Sequence, residues 1–220
     1  MHRVDALNYL FDQAFEQGQL IVAGKYLQQA EQIARELGYR VGLSQTCIYK
    51  AMLEDARGDK PAALAALQEA ASIARELGDD RNLSVALGNL GNVQLEQGYL
   101  QGAEASYQES GLLAQRTGNA YAQAHAWSGV ARVRQAQGKH HEAWGHYEHA
   151  VQLMELAGLP REVLRLQRKL ARAQQQAGDI QAARSTLQQV LQAATKAGDH
   201  PEQAAAQEQL ATLAAPGQAP

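Results

Sequence analysis

Glycine recurs at a constant spacing of forty, at Gly18, Gly58, Gly98, Gly138 and Gly178, and a second series, Gly38, Gly78, Gly118, Gly158 and Gly198, is offset from it by twenty. Alanine keeps the same period at Ala23, Ala63, Ala103, Ala143 and Ala183. No single globular core needs a backbone break every twenty residues, whereas a stack of helical hairpins does. The residues between the breaks agree. Ala, Leu, Gln, Glu and Arg, all good helix formers, dominate, and runs of β-branched and aromatic residues are nearly absent. Arrays of this kind bind partners, and the repeat itself does not name the partner.

Each forty-residue unit reads as two helices. In the third, Leu83, Leu87, Leu90, Gly91 and Leu95 run at spacings of three and four before Gly98. A second helix there carries Ala103, Tyr107, Ser110 and Leu113 or Ala114, and Gly118 stops it. In the fifth, Gly178 is followed by Asp179, a side chain suited to cap the next helix. The spacing predicts helical pairs at 3–17 with 20–37, 41–57 with 60–77, 81–97 with 100–117, 120–137 with 140–157, and 161–177 with 180–197. It also predicts an unpaired helix at 201–214. On the second helices a stripe recurs: the alanines, then Leu27, Leu67, Tyr107, Tyr147 and Leu187, then Ala30, Ala70, Ser110, Ala150 and Val190. That i, i+4, i+7 stripe buries one face against the first helices.

This order of small, large and small residues resembles the tetratricopeptide repeat (TPR) family. The third unit carries it best, with Leu87-Gly88-Asn89-Leu90-Gly91-Asn92, Gly98, Ala103, Tyr107 and Ser110; the fourth has Trp127, Val130-Ala131, Gly138, Ala143, Tyr147 and Ala150. The period is longer than that family's usual 34, and Gly stands where a Pro often ends a repeat. HEAT and armadillo arrays share periods near forty, but the phase of small and large residues fits the TPR at every unit. The resemblance implies an all-α fold, a right-handed α-solenoid of five TPR-like hairpins plus a C-terminal capping helix. It implies one superhelix over residues 3–214, with repeats at 3–40, 41–80, 81–120, 121–160 and 161–200 and a cap at 201–214. Residues 215–220 are expected to be a disordered tail. Helix 201–214 carries Ala206, Leu210 and Leu213 on one face, as a solvating cap would, whereas the first helix has no such cover for Leu7, Leu10 and Phe11.

Several function classes are disfavoured. No glycine-rich phosphate loop follows a strand, and neither G-x-S-x-G nor H-E-x-x-H occurs, so no catalysis and no cofactor are expected. Absence of a secretory leader or an 18-residue apolar run points away from the membrane, and a lone cysteine, Cys47, fits a reducing, cytoplasmic setting with its thiol buried and inert. The net charge of −3 disfavours nucleic acid. Charge is uneven, however: residues 1–110 hold 9 Lys and Arg against 15 Asp and Glu, and residues 111–220 hold 11 against 8. His140, His141, Glu142, His146 and His149 have spacings that could gather ligands on one helical face. The phase of Ala143, Tyr147 and Ala150 turns them outward instead, and no metal site is expected.

In the TPR family the first helix of each hairpin lines a concave groove. By that resemblance the groove-facing residues include Asn89 and Asn92 in the third unit, His125 and Arg132 in the fourth, and Arg165, Arg168 and Arg172 in the fifth. Asparagines there would hydrogen-bond an extended peptide backbone. The arginines, at spacings of three and four with few acids among them, would pair carboxylates or phosphates. The expected partner is therefore a protein or peptide, acidic in character. Two further readings stay open: a sensor segment of a larger bacterial regulator, and self-association through the first helix.

Overall fold

In the computed structural model, residues 2–214 are described; the expected disordered tail at 215–220 lies outside them. Eleven α-helices and no strand are found among the described residues. They are α1 (His2–Glu16), α2 (Leu20–Glu36), α3 (Arg40–Ala56), α4 (Lys60–Leu77), α5 (Asp80–Glu96), α6 (Leu100–Arg116), α7 (Ala120–Ala136), α8 (His140–Leu156), α9 (Pro160–Gln176), α10 (Ile180–Ala197) and α11 (His200–Ala214).

The turns have one design. At the end of α5, Gly98 takes φ of +77°, its N–H donates to Leu95 O (3.0 Å), and the Tyr99 N–H reaches back to Gln94 O (2.8 Å). This is the Schellman arrangement, in which a left-handed residue one step past the cap satisfies the last carbonyls, and glycine takes that conformation without a Cβ penalty. The next helix begins almost at once. Where the following residue is acidic it caps: Asp59, Asp79 and Asp179 accept from the backbone N–H of Ala62, Asn82 and Ala182 at 2.8–3.0 Å.

The described helices fall into two compact units, divided between residues 122 and 123. In the first, α1–α6 pack as three successive hairpins. The predicted stripe is buried throughout: Ala23, Ala63 and Ala103 let the second helices approach, and Leu27, Leu67 and Tyr107 fill the space beside them. Buried hydroxyls add pins. Ser84 and Ser110 each donate to the other's backbone carbonyl at 3.0 and 2.8 Å, and Ser44 donates to Ala70 O at 3.1 Å. Every such hydroxyl is satisfied, which is what keeps it from destabilising a dry seam. Leu7 and Phe11 are buried, contrary to the expectation of a poorly protected first helix. Of the three residues named, Leu10 alone is exposed, and Tyr9 beside it is the other large hydrophobic exposed on α1.

In the second unit Ala131, Ala143, Tyr147, Leu170 and Ala173 form one core cluster, and Ala171, Ala183 and Leu187 another, covered by Leu210 and Leu213 of α11. Ala206 is fully buried with Leu164, Val190 and Ala194. Helix α11 thus does cover the end of α9 and α10.

Candidate functional site

Helices α7 and α9 lie side by side in the second unit, and their far ends are joined by a hydrogen bond from Gln135 to Gln176 (2.6 Å). Gln135 also accepts from the buried Tyr147 hydroxyl (2.8 Å), which fixes its amide. Along this shared face His125 and Arg132 come from α7, and Arg165, Lys169 and Arg172 from α9. His125 and Arg132 are half-buried; Lys169 and Arg172 are accessible and make no ion pair among the described residues.

Electrostatics shows how close these cations are. Surrounding protein, then Arg132, Arg165 and Arg168, push the Lys169 ammonium below the usual lysine value, with Glu162 opposing. Burial, followed by the charges of Lys169 and Arg132, holds His125 below the ordinary histidine value. The sign follows. The unfolded chain binds the proton more readily than the folded one, so stability is retained above the ordinary histidine pKa and falls as pH drops through it. Urea midpoints of wild type should therefore fall from pH 7.5 to pH 5.5 more steeply than those of His125→Gln; parallel slopes would contradict this assignment.

The five cationic residues expected from sequence do not share one environment. Arg165 donates to Glu162 (2.9 Å) and to Glu202 (3.4 Å), and Arg168 donates to Glu202 (2.8 Å). Arg168 thus turns toward α11, and acids do stand among the arginines. Lys169 was not among the residues singled out from sequence. It lies eighty positions after Asn89, two full periods, and repeat phase alone could have found it.

In the first unit Asn89 and Asn92 are both half-buried on α5. Asn89 has no hydrogen-bond partner among the described residues, whereas the Asn92 amide oxygen accepts from the Tyr107 hydroxyl at 2.7 Å. The two asparagines are therefore not equivalent: one amide is open and the other helps seat a core tyrosine.

The remaining candidates resolve differently. Cys47 is buried and its thiol is pushed up to about 12, first by burial and then by Glu69 and Glu31, which makes it a poor nucleophile at neutral pH. The histidines of α8 do not all face solvent: His146 stacks on Trp127 (5.5 Å between centroids, 9° between planes) and His149 meets the same ring edge-on. Among the described residues no group of three His, Cys, Asp or Glu is placed to hold a metal. A recess of about 450 Å³ opens beside Leu159, Val163, Leu164, Ala193 and Ala197. Its cause is legible in the repeat, because Ala193 stands where the other units have Ile33, Ile73, Leu113 and Leu153. No helix among the described residues is long and apolar enough to cross a membrane.

Known proteins share this architecture. Residues 122–196 match the tetratricopeptide-repeat family model, and residues 2–97 match the model of anaphase-promoting complex subunit 5. Among curated proteins none matches the chain in sequence. Among solved structures, putative kinesin light chain TPR-like repeats from Podosopora anserina superpose with a TM-score of 0.73 at 20% identity, over 90% of this chain and 99% of that one. A signal-transduction ATPase with a tetratricopeptide-repeat sensor from Pyrococcus horikoshii gives 0.78 at 18% identity, over 96% of this chain but 33% of its own. Aspartyl phosphate phosphatase F from Bacillus subtilis gives 0.83 at 12%, over 96% of this chain and 56% of its own. At such identities the likeness is one of fold: an all-α solenoid of TPR-like helical hairpins.

Proposed function

We propose that this chain, a tetratricopeptide-repeat protein, binds an acidic segment of a partner protein along the exposed face of α7 and α9 and performs no catalysis itself. The observation that carries this reading is the α7–α9 face. Lys169 and Arg172 make no ion pair there among the described residues, and the protein packed around Lys169, with the neighbouring Arg132, Arg165 and Arg168 charges, disfavours its cation despite Glu162. A wall of like charge is relieved by an anionic ligand, and guanidinium groups favour carboxylates and phosphates through paired hydrogen bonds. His125, Arg132 and Arg165 border that wall. The buried thiol of Cys47 is compatible with a reducing, cytoplasmic setting.

The test is affinity capture from a lysate of the source organism, followed by mass spectrometry, with wild type beside a Lys169→Ala/Arg172→Ala variant of unchanged helicity. A partner held by wild type and reduced at least about tenfold by the variant is the expected result, since charged hydrogen bonds are worth that much or more. Equal capture would overturn the assignment.

A second reading is favoured by the likeness to an ATPase with a tetratricopeptide-repeat sensor, of whose chain the match covers 33%: the chain would serve as the sensing segment of a longer regulator. An output domain in the same reading frame would support it.

A further inference from the structure

The last helix closes on the arginines in an unusual way. Glu202, in the first turn of α11, is only 6% exposed, yet its carboxylate accepts from Arg165 Nε at 3.4 Å and Arg168 Nε at 2.8 Å. One turn earlier Asp199 pairs with Arg161 at 3.0 Å. All three of these acid–arginine contacts between α11 and α9 therefore come from the start of α11. Further along, α11 presents Ala206, which is buried, and Leu210 and Leu213, which are only half-covered.

Comparison within the repeat sharpens the point. Arg168 is in phase with Asn8, Ile48, Gly88 and Ser128, and Glu202 with Gly42, Asn82, Ala122 and Glu162. In the first unit the buried Asn8 is met by a neutral partner, the Thr46 hydroxyl at 3.1 Å. Among the buried residues described, the one acid is Glu202, at the last seam. Such a pair is a poor device for stability, because desolvation offsets most of the attraction and apolar packing does as well or better. It does have one property that apolar packing lacks: a second acid can take its place.

We propose that Glu202 is an internal occupant of an acid-binding site formed by Arg165 and Arg168, and that an acidic partner segment enters by displacing it and loosening the first turn of α11. This rests on the acidic-partner reading above and adds its regulation: Arg165 is half-exposed, so an incoming carboxylate reaches the pair from the same side as Lys169 and Arg172. Acid and helix then compete, and by linkage each weakens the other.

The probe is fluorescein-labelled hexaglutamate, with anisotropy read on the full chain at low ionic strength, where such contacts are least screened. Glu202→Gln should bind at least about tenfold tighter than wild type, the factor expected when charged hydrogen bonds are released to a ligand, and adding Arg168→Gln should abolish the gain. In wild type, hexaglutamate should speed amide exchange at residues 202–205, which keeps the test independent of how well the variant folds. Equal binding by Glu202→Gln and wild type, including no binding by either, overturns the proposal, as does exchange that saturating peptide leaves unchanged. The two readings separate on the same peptide. Loss in Lys169→Ala/Arg172→Ala without gain in Glu202→Gln keeps the basic wall and removes the exchange. Gain through Arg168 with an unaffected Lys169→Ala/Arg172→Ala keeps the exchange and removes the wall.

Discussion

Tyr107→Ala should lower the stability of the first unit by about 3–5 kcal/mol, the range for removing a large buried aromatic from a packed core. Tyr107 has no exposed surface, and its hydroxyl is anchored on Asn92 at 2.7 Å. Alanine would leave a ring-sized void between α5 and α6, which helices pinned by the Ser84–Ser110 pair cannot close. Tyr107→Phe, which keeps the ring and deletes only the hydroxyl, should cost about 1 kcal/mol. Urea unfolding followed by circular dichroism measures both. A loss below about 1 kcal/mol for the alanine variant, against the range just given, would mean the ring is not the keystone of that hairpin.

Gly91→Ala should also destabilise, by about 1–3 kcal/mol, although alanine is the better helix former. A Cβ on Gly91 would lie 2.8–3.0 Å from three atoms of the Tyr107 ring, closer than packed atoms tolerate, and that ring is held in place by its own hydroxyl. The cause can be isolated. In a Tyr107→Leu background the ring is gone, and Gly91→Ala should become neutral or stabilising. A double-mutant cycle on unfolding free energies reads the sign change directly. Equal cost in both backgrounds would place the strain elsewhere.

Gly91 also marks the limit of what the sequence reveals. Its place in the run Leu83, Leu87, Leu90, Gly91, Leu95 identifies it as a core-facing position of a helix. That it makes room for Tyr107, sixteen residues later on the partner helix, depends on how α5 and α6 cross. The likeness to tetratricopeptide repeats covered the helices and the buried stripe. It carried less for the site. Asn89 and Asn92 look alike in the sequence and differ in the structure, because only one is within reach of a tyrosine hydroxyl. Lys169 shares the repeat phase of Asn89, but in the sequence its charge merges with the arginine stripe around it.

By itself the sequence determined the hairpins, their turns and their packing stripe. These are local and periodic: glycine sets the left-handed turn, and small and large residues at i, i+4 and i+7 set the face that is buried. Only the tertiary structure decided which charges are paired. Arg165 and Arg168 meet Glu202 across 37 and 34 residues of chain, and the Lys169 ammonium feels Arg132 on another helix. Pairing and desolvation depend on distances between helices, a quantity the one-dimensional order of residues does not contain.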